Sequence, residues 1–244
     1  MKHLAFKTFT FFWFFIFQPT NAQNTIKELA GFKYKELIVN ADSTASKLPV
    51  IIAMHWMRST PDEFFGYIKT VQKPARIILL QGTYPYKEGF SFFPVSPDNY
   101  YKMNDDAKME KLSEEGDRLA KFIKAAVKKY PSNTKPIIVG ASQGGDLSYY
   151  IGIKYNQLIS LACPLLATID NRIITKRDKK KSSPIIAFHG EDDPIVKIDV
   201  AKNHIEILKQ NNFNATINTY KNLQHDIAPE MQANYCRLID QYLK

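Results

Sequence analysis

Short buried runs alternating with amphipathic segments predict an α/β chain with a mostly parallel central sheet and helices on both faces. Three observations carry this. After residue 48, apolar runs of four to six residues recur at Val50–Met54, Arg76–Leu80, Pro136–Val139, Leu158–Cys163 and Pro184–His189. Such lengths suit strands buried on both faces. Segments of helical period separate them, and 244 residues at 45% hydrophobic content suit one domain with a full core.

The first 22 residues carry an export pattern: Lys2 and Lys7, a dense apolar block from Phe9 to Phe17, then Pro19-Thr20-Asn21-Ala22 with small residues before a cut after Ala22. The block is too short to span a bilayer comfortably, so no stable membrane anchor is expected. Residues 23–244 are then the single folded domain, periplasmic or extracellular. Phe32–Val39 is expected as an antiparallel edge strand. Pro61–Val71 is expected as a helix, with Thr60 as its cap and Pro61 in its first turn.

Residues 83–104 form a long aromatic loop with Tyr84, Tyr86, Phe90, Phe92, Phe93, Tyr100 and Tyr101. Long loops in compact domains are usually functional, so Phe92 and Phe93 are expected on a substrate-pocket wall. The alternative is that these rings anchor the loop. Asp105–Tyr130 has helical spacing, stopped by Pro131. Asp146–Tyr155 is the next helix. The Leu158–Cys163 strand closes at Pro164, and 172–183 is a lysine-rich surface connection. Ile198, Ala201, Ile205 and Leu208 mark a helix, Ala215–Tyr220 alternates like a half-buried strand, and Met231 to Tyr242 gives the closing helix.

The net charge of +9 falls to about +7 without Lys2 and Lys7. The basic clusters, Lys176–Lys181 with Arg177 and Lys121–Lys129, come with no recognition motif, so solvated faces are expected and no nucleic-acid partner. Cys163 lies in an apolar run and Cys236 on an amphipathic helix. Two separate buried thiols are expected, and neither has metal-ligand spacing. No metal and no cofactor are expected.

Gly140-Ala141-Ser142-Gln143-Gly144 is G-x-S-x-G between a predicted strand and a predicted helix. That context is a nucleophile elbow, with Ser142 lifted above the sheet end at a helix N-terminus. A serine hydroxyl needs a base. His225 lies after the last strand, where a Ser–acid–His chain order puts it. His204 is read as a mid-helix surface residue, and His55 and His189 as structural supports of their loops. For the acid, Asp193 is favoured because the residue before Pro194 is held extended, with Asp192 the competitor. The remaining alternative is that these acids cap the following helix. Oxyanion donors are expected from the backbone N–H groups of Gln143 and Met57, with Trp56 second to Met57.

With Gly140–Gly145, His189-Gly190-Glu191-Asp192-Asp193-Pro194 and the late His225, the chain resembles the phospholipase/carboxylesterase branch of the α/β-hydrolases, which includes acyl-protein thioesterase-like and dienelactone-hydrolase-like enzymes. The resemblance implies an α/β-hydrolase fold, a Ser142–Asp193–His225 triad, and cofactor-free hydrolysis of carboxylic esters or thioesters. It strengthens Asp193 over Asp192. Two positions depart from the pattern. His55-Trp56 replaces a usual His-Gly, which places an indole where it would reshape the oxyanion hole or narrow the pocket, and Gln224 replaces the usual glycine before the histidine. The expected substrate is a small-molecule or glycan-linked ester. A peptidase on this scaffold, or a non-catalytic binding protein of the same fold, are the alternatives.

Overall fold

The computed structural model describes residues 25–177 and 182–243. The expected export segment and Lys179–Lys181 of the basic cluster lie outside them. In chain order the elements are β1 (Lys27–Leu29), β2 (Phe32–Val39), β3 (Val50–Met54), α1 (Pro61–Ile68), β4 (Ala75–Leu80), β5 (Tyr84–Tyr86) and β6 (Gly89–Ser91). There follow α2 (Asp105–Lys129), β7 (Ile137–Ala141), α3 (Gln143–Lys154), β8 (Leu161–Leu165), β9 (Ile185–Gly190), α4 (Ile198–Gln210), β10 (Ala215–Tyr220) and α5 (Pro229–Tyr242).

Eight strands form one sheet in the order β1-β2-β4-β3-β7-β8-β9-β10. Strands β4 to β10 of that order are parallel, and β1 and β2 form the antiparallel edge. The period-2 geometry of a strand splits the apolar runs between two cores. Ile52, Met54, Ile78 and Leu80 face the layer holding Leu119, Phe122 and Ile123 of α2, Ile151 of α3 and Ile205 of α4. Their neighbours Ile51, Ala53, Ile77 and Leu79 face Phe64 and Ile68 of α1 and Tyr235 and Ile239 of α5. Burying each of the isoleucine, leucine, methionine and phenylalanine side chains contributes roughly 1.5–3 kcal/mol. Thr60 caps α1 by accepting the Glu63 N–H at 3.1 Å. The sequence-predicted end of that helix at Val71 is three residues long, because the chain leaves the helix after Ile68.

The direction in which strands are added to the sheet reverses between β3 and β7. From β3 the chain steps outward to β4, then crosses back to place β7 on β3's other side. Such switch points open a crevice beyond the carboxyl ends of the strands. Here Met54 pairs with Gly140, so the turn after β3 and the turn after β7 lie side by side.

Two expectations about elements are corrected. Leu158 ends a short 3-10 turn, Asn156–Leu158, and Pro164 lies inside β8 instead of closing it. Ala162 and Leu166 donate their N–H groups to the carbonyls of Pro184, just before β9, and of Phe188 within it. Pro164, between them, has no N–H, so the β9 ladder skips a bond and the strand continues. The stretch 83–104 also holds more structure than a loop: the β5–β6 hairpin, and a 3-10 turn at Tyr100–Lys102.

Candidate active site

Strand β7 delivers the chain into a tight turn. Ser142 has φ 51° and ψ −114°, a strained conformation for a residue with a side chain. The turn closes only because its neighbours are small. A Cβ on Gly140 would sit 2.3 Å from the Gly144 carbonyl oxygen, and one on Gly144 would sit 2.5 Å from the Met54 carbonyl oxygen. Helix α3 starts at Gln143, three residues earlier than the sequence pattern predicts, so Ser142 is its N-cap.

Folding brings three side chains from separate loops into line. His225 Nε2 lies 3.1 Å from Ser142 Oγ, and His225 Nδ1 lies 2.7 Å from Asp193 Oδ2. Asp193 is 2% exposed. Its other oxygen, Oδ1, accepts the N–H groups of Ile195 at 2.8 Å and Val196 at 2.9 Å. Asp193 is thus fixed by its own turn and does not cap α4, whose N-cap is Lys197. Asp192 is exposed and its N–H donates to the Leu223 carbonyl, so the competitor lies outside the line. Gly190 lets the two loops touch, since a Cβ there would meet the Leu223 and Gln224 carbonyl oxygens at 2.2 and 2.4 Å. The Gln224 side chain is itself exposed.

Three other histidines are bound into structure. His55 is buried, its Nδ1 2.6 Å from the Trp56 carbonyl, and its Nε2 accepts the Gly82 N–H at 3.0 Å. Burial lowers its pKa to about 4, which keeps it neutral. His189 Nε2 meets the Val196 carbonyl at 2.8 Å and lies 3.3 Å from Asp193 Oδ2, and burial lowers its pKa too. His204 corrects the surface reading. It is 5% exposed, bonded to Thr168 Oγ1 and Asn171 Oδ1, with its pKa lowered by burial to about 4.

Of the expected oxyanion donors, the Gln143 N–H opens α3 and has no acceptor within the helix. Met57 lies in the turn after β3, where Ser59 N–H donates to the Trp56 carbonyl and Arg58 has φ 76°. That turn is clamped by Arg58 N–H to the Phe90 carbonyl and Phe90 N–H to the Ser59 carbonyl. The Trp56 indole packs edge-on against Tyr67 and Phe64 of α1, with ring centres 5.2 and 6.0 Å apart.

Phe92 and Phe93 have no exposed surface and so line no pocket, contrary to expectation. Phe92 packs on His55, and Phe93 stacks on Tyr100 at 4.3 Å. They anchor the loop, and the Gln143 side chain finishes the task. Its Oε1 accepts Phe92 N–H at 3.0 Å, and its Nε2 donates to Tyr101 Oη and Ser91 Oγ, both at 3.0 Å. Sequence reading assigned Gln143 only its backbone. The signal for this second role was a polar side chain inside an otherwise small-residue turn.

Comparison with known proteins gives the family and the fold. A family model for phospholipases and carboxylesterases matches residues 46–241. Acyl-protein thioesterase 1 of Gibberella zeae is 31% identical over 99 residues, which cover 38% of this chain and 42% of that protein. Acyl-protein thioesterase 1 of Candida albicans is 29% identical over 129 residues, 50% of this chain and 56% of that protein. The matched stretch therefore spans only about half of these relatives, or less. Among solved structures, esterase PE8 superposes with a TM-score of 0.72 at 14% identity, over 87% of this chain and 99% of that one. The Bacillus cereus carboxylesterase gives 0.69 at 15% identity, over 86% and 95%. At those identities the likeness is one of fold. Since the family model runs from the strand before the first crossover to the closing helix, the chain belongs to the phospholipase/carboxylesterase family and has the α/β-hydrolase fold.

Proposed function

We propose that the protein is an exported serine esterase that hydrolyses carboxylic esters through an acyl-enzyme on Ser142. The observation carrying this is the continuous line Ser142 Oγ–His225 Nε2–His225 Nδ1–Asp193 Oδ2, at 3.1 and 2.7 Å. Asp193 only accepts, so Nδ1 carries the ring proton and the Nε2 lone pair faces the hydroxyl. His225 takes the Ser142 proton as Oγ attacks the ester carbonyl, and the imidazolium that forms is stabilised by Asp193. The carbonyl oxygen gathers charge at the N-terminus of α3, with the Gln143 and Met57 N–H groups as donors. His225 then protonates the leaving alcohol, and water, deprotonated by the same imidazole, releases the acid and frees Ser142.

A fluorophosphonate probe is expected to label the protein at Ser142 and to lose its label in Ser142→Ala. Labelling of that variant at another residue would refute the assignment. An acyl ester and an aminoacyl amide tested side by side separate esterase from peptidase. Export rests on Lys2, Lys7, the apolar block and Ala22. The exported protein is expected to begin at Gln23 by intact mass, and a mature chain still carrying Met1 would sink that half of the proposal while leaving the chemistry standing.

A further inference from the structure

The second half of the substrate has a candidate place of its own. A cavity of about 710 Å³ lies between the chain after β8, the 3-10 turn at Tyr100–Lys102 and the first turns of α2, with Asp146 of α3 on its wall. Its volume is in the range of small-molecule sites. Asp146 is one helical turn beyond the nucleophile, with its N–H donating to the Ser142 carbonyl at 2.8 Å, so the two residues are about 6 Å apart along the helix.

Asp146 Oδ1 accepts the Thr168 N–H at 2.9 Å. Its Oδ2 has no hydrogen-bond partner among the described residues, and Asp146, which is only partly buried, lines the cavity. The cations on the same wall are committed elsewhere. Arg172 pairs with Asp170 and Asp106 and also donates to the Asp105 carbonyl, and Lys108 lies 3.9 Å from Asp105. Asp105, Asp106 and Asp170 line the same cavity and answer both cations, which leaves the Asp146 carboxyl without an ion-pair partner among the described residues.

We infer that this cavity is a subsite for a hydroxyl-rich group, a sugar unit of the ester substrate, held by the Asp146 carboxyl. The inference rests on the esterase reading above. Burial raises the Asp146 pKa to about 8, so near neutral pH the carboxyl keeps a proton and can both donate to and accept from a hydroxyl. Ile169 and Met109 supply apolar surface for the C–H faces of a sugar ring.

Two measurements test it. Calorimetry of xylotetraose on Ser142→Ala protein reads the subsite without chemistry. Binding is expected, about ten-fold weaker when Asp146→Ala is added, as for one lost hydrogen bond. Kinetics on the Ser142 enzyme then compare acetylated xylotetraose with p-nitrophenyl acetate. The ratio of their kcat/KM values is expected to fall about ten-fold in Asp146→Ala and at least as far in Met109→Trp, which fills the cavity from α2. An unchanged ratio in both folded variants overturns the inference, as does a wild-type preference for acetylcholine over the sugar ester. Loss of fluorophosphonate labelling at Ser142 together with intact xylotetraose binding would instead fault the esterase reading and support the subsite.

Discussion

Asp193→Asn is expected to lower kcat on an ester by about 10⁴-fold while leaving the melting temperature close to that of the parent. The size of the loss follows from the way Asp193 is held. Oδ1 accepts two backbone N–H groups, from Ile195 and Val196. An asparagine must put its carbonyl oxygen there, because its amino group would confront two donors. The amino group then occupies the place of Oδ2, 2.7 Å from His225 Nδ1. It can only donate to that nitrogen, so the ring proton moves to Nε2 and points at the Ser142 hydroxyl. The base is spent before the reaction begins, and no imidazolium can be stabilised afterwards. Asp192→Asn, at an exposed position, should change kcat less than two-fold or so. Single-turnover kinetics with circular dichroism melts on both variants decide the matter. A loss below ten-fold in Asp193→Asn, or an equal loss in Asp192→Asn, would remove Asp193 from the proton path.

The elements that folding positions through local chemistry were readable in the sequence. Ala215–Tyr220 alternates because one face of β10 is covered, and the observed strand has those bounds. Asp193 was preferred through Pro194, a neighbour effect, and the structure puts it in line with His225. Errors arose where two signals shared one residue. Pro164 suggested a strand end, but its missing N–H costs only one bond on the β9 side, and the paired side toward β7 holds the strand. His204 reads as a mid-helix surface residue, yet Ala201, Ile205 and Leu208 stand three back, one on and four on from it, and all four are buried on α4. The aromatic residues of 83–104 announced function by length and composition, yet Phe92 and Phe93 serve as anchors. What no local signal carries is pairing between distant charged residues.

Arg76→Met supplies the test of such a pair. It is expected to destabilise the protein by about 3–5 kcal/mol. Arg76 opens β4 beside β2, where its guanidinium meets the Glu36 carboxylate; both side chains are about nine-tenths buried. Glu36 also accepts from Lys27 at 2.6 Å and from Tyr130 Oη at 2.6 Å. Tyr130 Oη in turn lies 2.8 Å from Tyr34 Oη, and the guanidinium stacks 4.7 Å from the Tyr130 ring. One buried carboxylate thus joins the antiparallel edge to the end of α2. Removing Arg76 leaves that carboxylate, among the described residues, with the one-third-exposed Lys27 as its remaining ion-pair partner, and desolvation is then poorly offset. Removing both charges in Glu36→Leu/Arg76→Met should recover much of the loss, since neither ion then needs to leave water. The active-site line lies at the opposite, carboxyl end of the strands, so fluorophosphonate labelling of the folded variants should proceed at the parent rate. Urea melts of the two single variants and the double variant give the coupling. A double variant no more stable than Arg76→Met would mean that the pair is held by packing around the two side chains instead of by their charge.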